Sequence, residues 1–342
     1  MKIHENIAET IGNTPIVKIN KINRGNIATL AVKLEYFNPC GSIKDRTALE
    51  MIKTAESEGL LLPGGTIVEA SSGNTGYAIS MLAAAKGYNV VIVCTNSVAH
   101  EKIQTLKAFG AKVVMVPSDA TLNSSEHYLN TAKRIAKETN NAFFANQSFN
   151  PANPKAHYLS TGPEIWEQTE GRVTTFVSSA GTGGTISGAA KYLKEKNSDI
   201  EIILADPVGS LYKKYFETGQ IGEPSPYLVE AAGQNEAFIP EAFDPSVVDR
   251  AISVSDEESF LMAQRLAQEE GIFCGISSGM IVHAAVQVAQ EKTKDDLIVA
   301  IIPDAADKYL SRLYSNEWLK QNLPQLESKL DYHDTNSDST NS

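Results

Sequence analysis

The amino-acid sequence predicts an α/β fold, mostly parallel strands with helices on both faces, divided into two lobes. Three observations predict it. Short β-branched runs alternate with amphipathic stretches of helical period along almost the whole chain. Glycine stands just past the last turn of several helical stretches, as at Gly59, Gly87 and Gly110, where a left-handed residue ends a helix. The 342 residues exceed one ordinary domain, taken at roughly 150 residues.

The elements follow in order. A strand at 31–34 leads to a helix at 44–58 that stops at Gly59. A strand at 66–69 feeds a helix at 75–86, a strand at 90–93 a helix at 100–109, and a strand at 112–116 a helix at 126–138. The loop-rich stretch 146–154, with Asn, Pro and Gln together, marks the lobe boundary. Beyond it come a strand at 175–177, a helix at 184–196, a strand at 202–204, helices at 257–270 and 279–292, and a strand at 297–302. No repeat of fixed period occurs. The Asp, Thr, Asn and Ser run at 331–342 has too little apolar surface to bury and is expected to be disordered.

Composition narrows the function. Apolar residues make up 42% and charged residues 21%, the balance of a globular chain with a real core, which excludes fibrous and disordered classes. The 30 basic and 41 acidic residues give a net charge of −11, a poor match for nucleic acid or anionic lipid, so neither partner is expected. Cys40, Cys94 and Cys274 lie far apart, which argues against a disulfide framework or structural zinc and for buried or near-site thiols. No His/Asp/Glu cluster has metal-ligand spacing, so no metal is expected. The N-terminus lacks an apolar leader segment, and the run at 297–302 is strand-sized. A cytoplasmic, reducing compartment is the expectation.

Four segments carry chemistry. In Asn38-Pro39-Cys40-Gly41-Ser42-Ile43-Lys44, a Pro/Gly turn feeds Ser42, a natural N-cap, and puts Lys44 in the first helical turn. The positive end of the helix dipole lowers the pKa of a lysine there, which suits an amine needed neutral as a nucleophile. No other amine is expected at the site. Ser71-Ser72-Gly73-Asn74-Thr75-Gly76 follows a strand and opens a helix, where backbone N–H groups converge on an anion such as a carboxylate. Gly181-Thr182-Gly183-Gly184-Thr185 does the same with added hydroxyls and reads as a phosphate cradle. Ile186 stands where a dinucleotide fingerprint needs its third glycine, so a dehydrogenase is the weakest alternative. Serine in Gly275-Ile276-Ser277-Ser278-Gly279 defaults to a helix cap, His157 to a structural role, and Asp304 to either reading.

Together and in this order, from Ile11-Gly12-Asn13-Thr14-Pro15 to Trp318, these segments resemble the pyridoxal-phosphate β-replacement enzymes, cysteine synthase and cystathionine β-synthase. The resemblance implies a two-lobed fold type II enzyme, tryptophan synthase β-like, expected to form a homodimer. Residues 1–12 and 36–149 would make a smaller mobile lobe; residues 13–35 and 150–330 would make a larger one holding the cofactor phosphate. Lys44 would carry pyridoxal 5′-phosphate as an internal aldimine and serve as base for the Cα proton. Gly181, Thr182, Gly183, Gly184 and Thr185 would bind its phosphate, Asn74 its ring hydroxyl, and Ser277 would face the pyridine nitrogen. Ser71, Ser72, Thr75 and Gln147 would take the substrate carboxylate. A neutral hydroxyl at Ser277 does not force the ring nitrogen to be protonated, which favours elimination and replacement over transamination.

Thr161-Gly162-Pro163-Glu164-Ile165-Trp166 and Phe243-Asp244-Pro245-Ser246-Val247 look most like the cystathionine β-synthase branch, without its appended regulatory or haem segments. Four positions depart from the family pattern. Thr95-Asn96-Ser97 replaces a Pro-acid-Lys, Ser148 an aromatic, Ala231-Ala232-Gly233 a Gly-Ile-Gly, and Ala305 a hydroxyl. Asn96, Ser148 and Ala231 are therefore assigned to the acceptor side. The expected reaction is β-replacement on L-serine or an O-activated L-serine, through an aminoacrylate, with a thiol acceptor. Homocysteine comes first, sulfide second, a non-standard nucleophile third. A catalytically silent partner protein is the non-enzyme alternative, and retention of Lys44, Asn74 and Ser277 speaks against it.

Overall fold

Two sheets organise the protein in a computed structural model that describes residues 3–71 and 73–329; Ser72 and the tail at 331–342 lie outside the described residues. The strands are β1 (Ile16–Lys18), β2 (Thr29–Leu34), β3 (Thr66–Ala70), β4 (Asn89–Thr95), β5 (Lys112–Val116), β6 (Ala142–Phe144), β7 (Thr175–Ser179), β8 (Glu201–Pro207), β9 (Arg250–Val254) and β10 (Leu297–Ile302). One sheet has the order β5-β4-β3-β6 and is parallel throughout. The other has the order β1-β2-β10-β7-β8-β9 and is parallel except for β1 on β2. β2, at 29–34, thus pairs with β10 from the far end of the chain, Ile298 beside Leu30.

Parallel central strands are covered on both faces, so they read as continuous β-branched runs. β8 and β10 are buried at every position after the first. Apolar clusters lie on both faces of each sheet, one around Leu30, Ile281 and Ile298, another around Phe176, Ile186 and Ile202. Helices Lys44–Ser57, Asn74–Lys86, His100–Ala108, Tyr128–Glu138, Gly184–Lys196, Asp256–Glu270 and Ile276–Glu291 make the connections. Gly59, Gly87 and Gly110 all have positive φ, at 71°, 77° and 86°.

The structure corrects two local readings. The stretch taken as loop and lobe boundary turns helical at Ala152–Ala156 and continues through one wide turn, His157–Thr161, into Gly162–Gln168. Pro154 and Pro163 read as breakers, but Pro163 falls in the first turn, where its missing N–H costs nothing. A Cβ at Gly188 would run into the Pro154 carbonyl, so this helical segment lies directly on the Gly184–Lys196 helix. The second correction concerns Ser277. It lies inside a helix that begins at Ile276, with Gly275 as cap, and not at the cap itself.

A buried charge cluster joins β2, the Lys44–Ser57 helix and the Gly162–Gln168 helix. Arg46 Nε donates to Glu35 at 2.7 Å and its terminal nitrogens donate to Glu164 at 2.6 and 2.7 Å. Lys33 Nζ, fully buried, sits 2.8 Å from Glu164 and donates to the Thr14 carbonyl at 3.0 Å. Burial alone would push Glu164 up, but Arg46 and Lys33 hold it down, to about 2 against an ordinary 4.5. A depressed carboxyl contributes stability that is present above its unfolded pKa and lost as pH falls through the folded one. Thermal unfolding should therefore show about 3 kcal/mol of stability lost between about pH 4.5 and 2, and Glu164→Gln should flatten that limb.

Candidate active site

Clefts in open parallel sheets form outside the carboxyl ends of the strands, where the strand order reverses. Here both sheets have such a point. In β5-β4-β3-β6 it lies between β3 and β6; in the larger sheet it lies between β7 and β10. β3 ends into Ser71 and Asn74, β6 into Gln147, β7 into Gly181, and β10 into Pro303 and Asp304. All but Asp304 line a single cavity of about 610 Å³ that also holds Lys44.

Lys44 opens its helix with Ile43 at the cap position, while Ser42 Oγ accepts the Lys44 N–H at 3.3 Å from one residue further back. Burial lowers the Lys44 pKa, and the nearby Asp304 carboxylate opposes that shift. The direction expected from the helix dipole is found, with burial as its first cause. Lys102 and Lys308 also line the cavity, each tied to oxygen acceptors, Lys102 to Glu230 and Lys308 to Asn74 Oδ1.

Asp304, fully buried, accepts from Asn74 Nδ2 at 2.7 Å and from the Tyr309 hydroxyl at 2.6 Å. Burial raises its pKa, with Lys308 as the first opposing influence. The Gly275 N–H donates to the Asp304 carbonyl at 3.0 Å, and a Cβ at Gly275 would strike its carboxylate. Ser277, two residues on, is 1% exposed and does not form the open wall of the cavity.

On the smaller sheet, Thr75 Oγ1 donates to Gln147 Oε1 at 2.6 Å, and Ser71 Oγ accepts the N–H groups of Gly73 and Gly76 at 3.3 and 3.2 Å. The Ser71-to-Thr75 turn therefore meets Gln147 from β6. Glu69, buried at the end of β3, accepts the Gln147 N–H at 3.3 Å, and burial pushes its carboxyl up to about 8. Ser72 lies outside the described residues.

Across the cleft, Gly183 has φ +88°, and a Cβ there would come 2.6 Å from Phe243 Cα. Gly181 and Thr182 form cavity wall; Gly183, Gly184 and Thr185 lie behind it, at the start of the Gly184–Lys196 helix. The first N–H groups of a helix have no intrahelical acceptor. Asn153 Nδ2 donates to Thr182 Oγ1 and to the Gln147 carbonyl, each at 2.8 Å, and so ties the Gly181-to-Thr185 turn to the loop that carries Gln147. His157 Nε2 lies 3.1 Å from the Thr47 hydroxyl and 3.3 Å from the Thr185 hydroxyl. Burial, and then Lys44, lower its pKa well below the usual range, so it is a neutral brace.

The mouth is charged. Glu230 accepts from Lys102 at 2.9 Å and from Arg312 at 2.8 Å, and Glu236 accepts from the Tyr128 hydroxyl at 2.8 Å. Of the three acceptor-side expectations, Ala231 lines the cavity, while Asn96 and Ser148 do not. Asn96 is exposed and its side chain accepts the Ser118 N–H at 3.2 Å; Ser148 gives its carbonyl to the Ala242 N–H at 3.1 Å. Ala231 has φ +63°, a left-handed conformation that costs a non-glycine residue roughly 1–2 kcal/mol. Ala231→Gly should relieve that strain, less the extra freedom of the unfolded chain, for a net gain of about 0.5 kcal/mol in urea unfolding.

These residues fit pyridoxal phosphate. The site offers an amine shifted toward neutrality, a turn with N–H groups and a threonine hydroxyl for the phosphate in which Gly183 has no room for a Cβ, and a buried serine at 277. The sequence leaves Asp304 open to either reading; Lys308, Tyr309, Asn153, Glu69, Lys102, Glu230 and Glu236 escaped the sequence reading as site residues. A charge inside the β-branched run Thr66-Ile67-Val68-Glu69-Ala70 was the available signal for Glu69, and helical i, i+4 spacing from Asp304 was the signal for Lys308.

Comparison with known proteins gives the same reading. Residues 7–304 match the family model described as pyridoxal-phosphate dependent enzyme. Cystathionine beta-synthase of Rattus norvegicus is 43% identical over 322 residues, 94% of this chain and 57% of that protein, so the chain spans less than two thirds of that relative. Cysteine synthase of Staphylococcus aureus is 41% identical over 91% of this chain and 97% of that protein. The crystal structure of O-ureido-L-serine synthase superposes with a TM-score of 0.83 at 34% identity, covering 94% of this chain and 96% of that one.

Proposed function

This chain belongs to the pyridoxal-phosphate dependent enzyme family, and from that premise we propose that it replaces the β-substituent of L-serine or an O-activated L-serine with a thiol, homocysteine foremost. The observation that carries the proposal is the one cavity where Lys44 meets two anion-binding turns, one from each sheet.

Pyridoxal phosphate, when bound, supplies the electron sink for loss of the Cα proton and the β-substituent. The chain's own residues do the rest. Lys44 holds the cofactor through its amine and, shifted toward neutrality by burial, takes the Cα proton at Nζ. The phosphate goes to the turn Gly181, Thr182, Gly183, Gly184 and Thr185, whose shape Asn153 and neutral His157 maintain. Asn74 offers its amide to the ring hydroxyl and Ser277 its hydroxyl to the ring nitrogen. Ser71, Thr75 and Gln147, with Ser72 in the same turn, bind the amino-acid carboxylate; because Gln147 Oε1 is occupied by Thr75, its N–H groups are the ones free to point at an anion.

The mouth favours an amino-acid acceptor. Lys102 and Arg312 pair with Glu230, Glu236 lines the same cavity, and both signs of charge there suit a zwitterion such as homocysteine better than sulfide. A cavity of about 610 Å³ has room for two amino-acid-sized molecules. The resemblance to O-ureido-L-serine synthase keeps a non-thiol nucleophile as the second reading. Initial rates should be measured with serine and O-acetylserine, each against homocysteine, cysteine and sulfide. Homocysteine should give the highest kcat/KM. A preference for sulfide would move the assignment to cysteine synthase, and turnover with none of the three would move it to the non-thiol reading.

A further inference from the structure

Lys308 lies four residues beyond Asp304, in the turn Ala306–Tyr309. Its ammonium donates to Asn74 Oδ1 at 2.7 Å and to the carbonyls of Cys40 and Gly41, both at 3.3 Å. It also lies 5.7 Å from the centre of the Tyr77 ring. One charge thus clamps the turn that delivers Lys44 and the side chain that opens the next helix.

We propose that Lys308 is a positioning residue that orients Asn74, so that the carboxamide presents an N–H, rather than its carbonyl, to the ring hydroxyl of the cofactor. This rests on the reading of the cleft as a pyridoxal-phosphate site. A carboxamide has two ends of nearly equal shape, and its neighbours decide which end is which. An ammonium only donates, so the end 2.7 Å from Lys308 is oxygen. The end 2.7 Å from Asp304 Oδ2 is nitrogen, because that carboxylate accepts. The two contacts agree. With one N–H of Asn74 spent on Asp304, the other is left for the cavity that Asn74 lines.

Lys308 acts on both ends. It is the largest influence opposing the rise that burial gives the Asp304 carboxyl pKa. Without Lys308, Asn74 Oδ1 loses its donor. A protonated Asp304 could then donate to the carboxamide oxygen, and the reversed orientation would become allowed.

The test uses full-length apo-protein titrated with pyridoxal phosphate, read as affinity from protein fluorescence and as the position of the long-wavelength absorption band. Lys308→Met keeps the stem and removes the charge. It should weaken cofactor binding by about 10- to 100-fold, as expected for a lost charged hydrogen bond, and shift the band. Lys308→Arg should restore most of both. Should the Met variant fail to fold, Lys308→Gln, which offers a donor end and an acceptor end and so no longer dictates which end of Asn74 faces it, is placed against Lys308→Arg, and the band should move further in Gln. Wild-type affinity and an unshifted band in the Met variant, or identical Gln and Arg spectra, would overturn the proposal alone. A wild-type protein that does not bind pyridoxal phosphate would overturn the functional reading beneath it as well.

Discussion

Replacing Lys44 by alanine should lower turnover by at least about 10³-fold with the fold preserved. The size of the effect follows from what else the cavity holds. Lys102 and Lys308 are the other lysines on its wall, and both are engaged. Lys102 is paired with Glu230 at 2.9 Å, and Lys308 with Asn74 Oδ1 and two carbonyls. An amine tied to oxygen acceptors is poorly placed to attack, whereas burial shifts Lys44 toward the neutral amine. Borohydride reduction of the loaded wild-type protein, followed by peptide mass analysis, should place the cofactor on the Lys44 peptide. A label on the Lys308 or Lys102 peptide would show that the wrong amine has been assigned.

The second large effect concerns folding. Arg46→Leu should cost about 3–5 kcal/mol in equilibrium unfolding, because it leaves a buried carboxylate without its counter-charge. Glu35 has no exposed surface, and Arg46 gives it bonds of 2.7 and 3.0 Å; the Thr14 hydroxyl and Asn38 amide that remain are neutral donors. Glu164 suffers less, since Lys33 stays 2.8 Å away. Adding Glu35→Leu to Arg46→Leu should therefore recover part of the loss. If the double variant is as unstable as the sum of the two single ones, the pair is not the coupled unit described here.

Much of this was legible in the sequence, and the exceptions share a physical cause. β10 falls on the residues its β-branched run predicts, because a central strand buried on both faces needs such a run; β5 matches its run as well, although it is an edge strand with only Val116 buried. β1 and β6 are three residues long, too short for any period to show, and β9 opens with an arginine. The helical stretch from Ala152 to Gln168 was hidden by its prolines. The turns of the site could be read because each sits where a strand meets a helix and must be built from small residues. Lys102 and Glu230 could not, since the meaning of each depends on the other, more than 100 residues away. Asn96 and Ser148 are a different case, each next in sequence to a residue of the cavity wall, Thr95 and Gln147. They depart from the family pattern, and their places in the fold put them off the cavity wall.

The most direct test follows the atoms of the substrate. L-serine carrying deuterium at Cα and ¹⁸O in its hydroxyl is supplied to the loaded enzyme with homocysteine in ordinary water, and the product is read by mass spectrometry. The account predicts cystathionine that retains the serine carbons, has lost the Cα deuterium and contains none of the ¹⁸O, which appears in water. Recovery of the labelled serine unchanged, or its conversion to a keto acid with the β-oxygen retained, would contradict it.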